Sequence, residues 1–339
     1  MNACVIGGGS WGSAFALHLG RKDLPIRLWI REEDVFQQTL KYRENRTFLP
    51  GSVFPDSVSF HHELESAATG ADVVFIAIPS EYCRELYARL LPILKPQALL
   101  VSLTKGIEKD TLKRMSELMV EVFAARFKPS VATLSGPSFA REVAESHPTA
   151  VVVASNERGL AQKVQHLVSY AYFRAYASED IIGVELAGAL KNVIAIAAGI
   201  SDGLEFGSNS LAALITRGIA EVTRLGVQLG ARQETFSGLA GIGDLVLTCT
   251  GSLSRNRYVG YELGKGKALK NIVSGMKMVA EGIGTTLSAY QLAQKEKVDM
   301  PILDQVYQIL YKDKNPRTAL QDLMSRKLKN EFVSNEGVS

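Results

Sequence analysis

The sequence predicts an α/β protein: a doubly wound, mostly parallel sheet followed by a C-terminal all-α domain. Three observations carry this. Strand-like and helix-like segments alternate over roughly the first 175 residues, a glycine-rich turn joins the first strand to the first helix, and helical periodicity dominates from residue 180 onward. At 339 residues the chain exceeds one ordinary core. It is therefore divided into a sheet domain over 1–179 and a helical domain over 180–329. The polar tail 330–339 is expected to fray.

The elements follow in order. "NACVIGGGSWGSAFALHLG" reads as a short apolar strand, a turn and a helix. "IRLWI", "ADVVFIAIP", "ALLVSLT", "SVATLSG", "TAVVVAS" and "FRAYAS", ending at Ser178, are strand-like, with helical stretches at 80 to 91, 111 to 126 and 157 to 168. Such alternation implies a sheet covered by helices on both faces. In the first unit Gly7, Gly9 and Gly12 form GxGxxG between a strand and a helix, the context in which this pattern marks a Rossmann-type dinucleotide site. The glycines permit a tight turn, close approach to a pyrophosphate and close helix packing, and the first helix presents its amides to the phosphates. Arg31 is the first polar residue after the second strand, where an arginine accommodates the 2′-phosphate of NADP. NADP is thus favoured over NAD, although Glu32, Glu33 and Asp34 follow it and have a helix-dipole explanation of their own.

The helical half opens with "ELAGALKNVIAIAAG", 185 to 199, whose apolar stripe is wide enough to bury most of the helix. Lys191 and Asn192 interrupt it. Lys191 either snorkels to water along its stem or faces a site. Gly183 and Gly188 are expected to let neighbouring backbone approach. Two glycine-rich polar stretches follow at 236 to 260 and 279 to 286, and long irregular segments in compact domains are commonly functional. Asp244, the only charge between Glu234 and Arg255, is either a helix cap or a site carboxylate. Arg255 and Asn256, after Ser254, offer a planar fork and an amide suited to a phosphate, with a plain surface arginine as the alternative. In the sheet half, "VSLTKGIE" places Lys105 just past a strand's carboxyl end, where open α/β sheets bind ligand, and Gly136, Pro137 and Ser138 repeat the arrangement.

Composition narrows the partners. A net charge of +3, with 46% hydrophobic and 22% charged residues, is globular, and no basic stripe or RNA-reading motif suggests nucleic acid. Cys4, Cys83 and Cys249 are scattered and odd in number, which suits a reducing compartment. The five histidines show no metal-ligand spacing, so no metal is expected. With no signal-like start and no uncharged membrane-length run, the protein reads as cytoplasmic and not membrane-embedded. Apolar helices in the second half suggest a homodimer.

Seven motifs in order, "GGGSWG", "NRTFLPG", "SLTKGIE", "SGPSFAREV", "ELAGALKNVIAIAAGISDGL", "GLAGIGDLVLTCTGSLSRNR" and "AEGIGTT", make the chain resemble the bacterial-type NAD(P)-dependent glycerol-3-phosphate dehydrogenases over residues 2 to 325. The resemblance implies reduction of dihydroxyacetone phosphate to sn-glycerol 3-phosphate for glycerophospholipid synthesis. It implies Lys191 as acid/base, with Lys105 and Asp244 in the catalytic group. Substrate contacts implied in the same way fall on Lys105, Gly136, Ser138, Lys191, Asp244, Ser254, Arg255 and Asn256, supported by Asn192 and Thr248. Implied cofactor contacts fall on Ser10, Trp11, Arg31, Lys105, Ala140, Arg255, Val279 and Glu281, beside Gly7, Gly9 and Gly12. Phe48 stands where a tyrosine is common, and the acid after Arg31 departs from a basic residue sometimes found there. Alternatives are another two-domain lysine-dependent dehydrogenase, of ketopantoate or β-hydroxyacid type, and a non-catalytic NADP-binding sensor.

Overall fold

The computed structural model describes residues 1–276, 278, 280–328 and 330–331. Apart from Asn330 and Glu331, the tail expected to fray lies outside the described residues, as does Val279. The sheet contains β1 (Ala3–Ile6), β2 (Ile26–Trp29), β3 (Val58–His61), β4 (Val73–Ile76), β5 (Leu99–Ser102), β6 (Ser130–Ser135), β7 (Thr149–Ala154) and β8 (Phe173–Ser178). Their spatial order is β3-β2-β1-β4-β5-β6-β7-β8. Every neighbouring pair is parallel except β6–β7. The order reverses between β1 and β4, so their carboxyl ends splay into a crevice.

Period-two alternation decides which helix covers which face. Val5, opposite Leu28 and Phe75, joins a core with Phe15 and Leu17 of α1 (Ser10–Gly20). Cys4, Ile6, Val74 and Leu100 point to the other face, into a core they share with Leu86, Leu90, Leu118 and Phe123. The remaining helices of this half are α2 (Glu33–Tyr42), α3 (Leu64–Ala68), α4 (Cys83–Leu90), α5 (Met115–Phe123), α6 (Ala140–Ala144) and α7 (Leu160–Val168). The exposed edge of β8 is blunted where Gln165 Nε2 donates to Ala175 O at 2.9 Å and Ala175 N donates to Ser169 Oγ at 3.1 Å.

The helical half begins with α8 (Ile181–Gly203), followed by α9 (Gly207–Gln228), α10 (Asp244–Thr250), α11 (Arg255–Gly264), α12 (Leu269–Ser274), α13 (Glu281–Lys295), α14 (Pro301–Tyr311) and α15 (Pro316–Met324). Asp180 starts α8: one carboxylate oxygen accepts from Gly183 N at 2.9 Å, the other from Arg232 N at 2.9 Å and Thr235 Oγ1 at 2.5 Å. Among the described residues α8 is the one helix long and apolar enough to cross a membrane, but 94% of its most apolar stretch is buried against its neighbours. A Cβ on Gly199 would lie 2.0 Å from Arg257 O, and one on Gly260 would lie 2.0 Å from Ile196 O, so glycines on both helices let α8 and α11 touch backbone to backbone. At Gly183 and Gly188 the approaching atoms are instead side chains, those of Asp180 and Thr235 in one case and Ser135 in the other. Ile107, from the sheet half, inserts into the helical core beside Leu186 and Leu190.

Candidate active site

Lys191 does not snorkel. It lies mid-way along α8, 7% exposed, and its Nζ donates to Asp244 Oδ1 at 2.5 Å and to Thr248 Oγ1 at 2.8 Å. Burial pushes its pKa down to about 8; the Asp244 carboxylate opposes that shift and the Lys105 ammonium adds to it. Asp244, 1% exposed, opens α10, and its second carboxylate oxygen accepts from Lys105 Nζ at 2.7 Å. The carboxylate therefore faces two lysines, not the amides of the turn that follows, which removes the capping alternative. Burial alone would raise the Asp244 carboxyl, yet the ammonium groups of Lys105 and Lys191 together hold it below its ordinary value. Thr248, one turn along α10, donates to Asp244 O at 2.6 Å and so presents its oxygen to Lys191.

Lys105 reaches this cluster from the end of β5, and its Nζ also donates to Gly136 O at 3.1 Å. Gly136 has φ of +135°, and a Cβ there would lie 2.9 Å from Val151 Cα. A side chain is thus excluded twice over at this position. Ser138 Oγ donates to Gly136 O at 2.9 Å. Gly188 on α8 faces Lys105 and Ser135, where a Cβ would come within 2.5 Å of Ser135 Oγ. Four distant segments therefore converge: the β5 and β6 exits from one side, α8 and α10 from the other.

On the helical side Ser254 is buried and caps α11, its Oγ accepting from Arg257 N at 3.2 Å. Arg255 follows at the exposed first position of that helix. Asn256 Oδ1 accepts from Gly282 N at 2.9 Å, tying α11 to the start of α13. Asn192, next to the lysine, is buried, with its carbonyl beside Gly282. Glu281 is half-buried at the first position of α13; burial raises its carboxyl, against the pull of Arg255, Lys105 and Lys191.

The nucleotide turn suits a dinucleotide. A Cβ on Gly7 would lie 2.4 Å from Ala77 O and one on Gly12 would lie 2.0 Å from Gly7 O, whereas Gly9 opens onto empty space. Gly9 precedes α1 without a side-chain cap, so first-turn amides remain for phosphate. Trp11 Nε1 is buried without a partner among the described residues. Ser10 Oγ donates to Phe48 O at 2.7 Å and contacts Met278 Sδ at 3.1 Å. Ala140 begins α6, the helix packed beside α1. Arg31 is exposed, donates to Glu32 at 2.8 Å, and sets its guanidinium 5.3 Å from the Tyr82 ring centroid.

Sequence reasoning passed over Tyr82, which carries no signal beyond its place after β4. It also gave no role to Glu185, whose carboxylate accepts from Ser116 N at 2.8 Å and from Arg114 Nη1 at 2.6 Å across the two halves. A carboxylate at the edge of a fully buried apolar helix was the available cue.

Known proteins share this sequence and fold. The family profile described as NAD-dependent glycerol-3-phosphate dehydrogenase N-terminus matches residues 2–161, and its C-terminus counterpart matches 180–321. The glycerol-3-phosphate dehydrogenase [NAD(P)+] of Syntrophotalea carbinolica is 52% identical over 332 residues, 98% of this chain and 100% of the relative. That of Citrifermentans bemidjiense is 51% identical, covering 97% of this chain and 98% of the relative. The crystal structure of glycerol-3-phosphate dehydrogenase from Coxiella burnetii superposes with a TM-score of 0.92 at 39% identity, covering 96% of this chain and 99% of that one. The chain belongs to the NAD-dependent glycerol-3-phosphate dehydrogenase family.

Proposed function

We propose that Lys191 is the proton donor when this enzyme reduces dihydroxyacetone phosphate to sn-glycerol 3-phosphate with NADPH or NADH. The carrying observation is the buried cluster in which Asp244 bonds both Lys191 and Lys105. The nicotinamide, when bound, supplies the hydride that reaches the substrate carbonyl carbon. Negative charge then builds on the carbonyl oxygen, where an ammonium both stabilises it and transfers the proton. Burial makes Lys191 more acidic than a free lysine and so a better donor near neutral pH, while Asp244 and Thr248 hold its Nζ in one orientation. Lys105 adds a second positive charge. Arg255 and Asn256 clamp the substrate phosphate, with Gly136, Ser138 and Ser254 at the borders of the same cleft.

Mixing enzyme, NADPH and dihydroxyacetone phosphate should bleach the near-ultraviolet absorbance of the reduced nicotinamide; ketopantoate should not. Lys191→Ala should lower turnover by about 100- to 10,000-fold with NADPH affinity retained. Near-normal turnover in that variant would assign the proton to another group.

The dinucleotide lies at Gly7, Gly9, Ser10, Trp11 and Gly12, with Ala140 and Glu281 on its flanks. Arg31 favours NADPH by pairing with the 2′-phosphate, a role for which Glu32 competes. Arg31→Ala should weaken NADPH about tenfold more than NADH; equal weakening would remove Arg31 from cofactor choice. Residues 1–179 and 180–329 act as the cofactor and catalytic domains, the sheet ending at Ser178 and α8 starting at Ile181. The enzyme works in the cytoplasm, supplying glycerophospholipid synthesis. It pairs as a homodimer through the helical half, where α9 leaves Leu211, Leu214, Ile215 and Ile219 partly uncovered. Sedimentation at a monomer's mass would rule out that pairing.

A further inference from the structure

"NRTFLPG", 45 to 51, has no chemistry in the scheme above, yet its first residue is fully buried beside the nucleotide turn. Asn45 Nδ2 donates to Gly8 O at 2.7 Å and to Ser13 Oγ at 2.9 Å, while its Oδ1 accepts from Phe48 N at 3.0 Å. Ser13 Oγ in turn donates to Gly8 O at 3.2 Å, and Phe48 O accepts from Ser10 Oγ at 2.7 Å. Every donor and acceptor of the Asn45 amide group is thus engaged, and two of its three bonds act on the turn or on the helix that follows.

A trans peptide is planar, with its C=O and N–H on opposite sides. Holding Gly8 O toward Asn45 therefore turns the Gly9 N–H away from Asn45, and Gly9 opens onto empty space. Without that tether the Gly8–Gly9 peptide could flip and present a carbonyl to the phosphates, which repel it. We propose that Asn45 is a positioning residue for the dinucleotide, holding the Gly8–Gly9 peptide so that the Gly9 amide faces the cofactor pyrophosphate, and setting the Ser10 hydroxyl through Phe48. The proposal rests on the reading of Gly7–Gly12 as the pyrophosphate turn.

NADPH binding is to be measured by titration on the full-length enzyme, beside the KM for dihydroxyacetone phosphate at saturating NADPH. Asn45→Ala removes the tether without adding charge; Asn45→Asp keeps the acceptor for Phe48 N and loses the donor to Gly8. Both should raise the NADPH Kd about tenfold, and Ser13→Ala about threefold, with the substrate KM unchanged. A wild-type Kd in Asn45→Asp would show that Asn45 holds only its own loop. Parallel losses in NADPH affinity and substrate KM would show a general structural role. If the Asn45 variants do not fold, an unchanged Kd in Ser13→Ala overturns the proposal. Gly9→Val separates the underlying reading: it should abolish NADPH binding, and if it does not, the turn is not the pyrophosphate site and the inference fails with it.

Discussion

At the residue scale the proposed chemistry rests on two lysines sharing one buried carboxylate. Lys191 was conspicuous in the sequence because a lone ammonium inside an apolar helix must either escape to water or be used. Asp244 and Lys105 were visible only as candidates, for they stand 53 and 139 positions from their partners: Asp244 from Lys191, and Lys105 from Asp244. No local pattern reports which of two distant charges will meet. The pairing sets a pH dependence whose direction follows from burial. Reduction requires the protonated lysine, so kcat/KM for dihydroxyacetone phosphate should fall as pH rises through about 8, the value to which Lys191 is lowered. Oxidation of glycerol phosphate requires the neutral amine, and its rate should rise through the same pH. A reduction rate that stays flat until about pH 10, the ordinary lysine range, would show that Lys191 does not donate the proton.

At the element scale, the helix that carries Lys191 is placed by glycine. Gly199 on α8 and Gly260 on α11 leave no room for a methyl group, and the two backbones meet there. Because Ser254, Arg255 and Asn256 lie at the start of α11, the same contact sets the residues proposed to clamp the phosphate against Lys191. Gly260→Ala should cost about 3 kcal/mol of stability and raise the substrate KM, measured by denaturant unfolding alongside kinetics; a variant with native stability would mean the helices separate without penalty. Other elements were less legible. Residues 111–126 looked helical, but α5 begins only at Met115, because Leu112 takes φ of +60° and Ile107 pairs with Arg114 in a short hairpin. β3 went unnoticed because it offers only four residues, with Ser59 exposed between the buried Val58 and Phe60 and no longer apolar run to mark it. The antiparallel β6–β7 pairing depends on where the chain re-enters the sheet, which periodicity does not encode.

At the scale of the whole molecule, buried carboxylates join segments distant in sequence. Glu185 on α8 holds the start of α5, and Glu221 on α9 accepts from Ile302 N at 2.9 Å and Leu303 N at 3.3 Å at the start of α14. Burial raises the Glu221 carboxyl to about 7, with its backbone bonds opposing the shift. Between the unfolded value near 4.5 and about 7 the folded protein keeps a proton that the unfolded chain releases. Its stability therefore falls as pH rises across that window, by about 3 kcal/mol, and levels off above it. Glu221→Gln, which keeps an acceptor without the charge, should melt at a higher temperature than the native protein near pH 8, with little difference near pH 5. An equal gap at both pH values would show that the carboxyl does not titrate in that window.

Sequence alone determined the alternation that makes a dinucleotide-binding sheet, the change to helices near residue 180, and a short set of polar residues too costly to bury without purpose. These are local properties: period, turn chemistry and the price of burying charge all act within a few residues. Tertiary structure alone decided that Asp244 bonds two lysines instead of capping a helix, that Arg31 lies over the Tyr82 ring, and that Asn45 braces the glycine turn. Each depends on segments brought together by packing, whose distances and burial are properties of the folded chain.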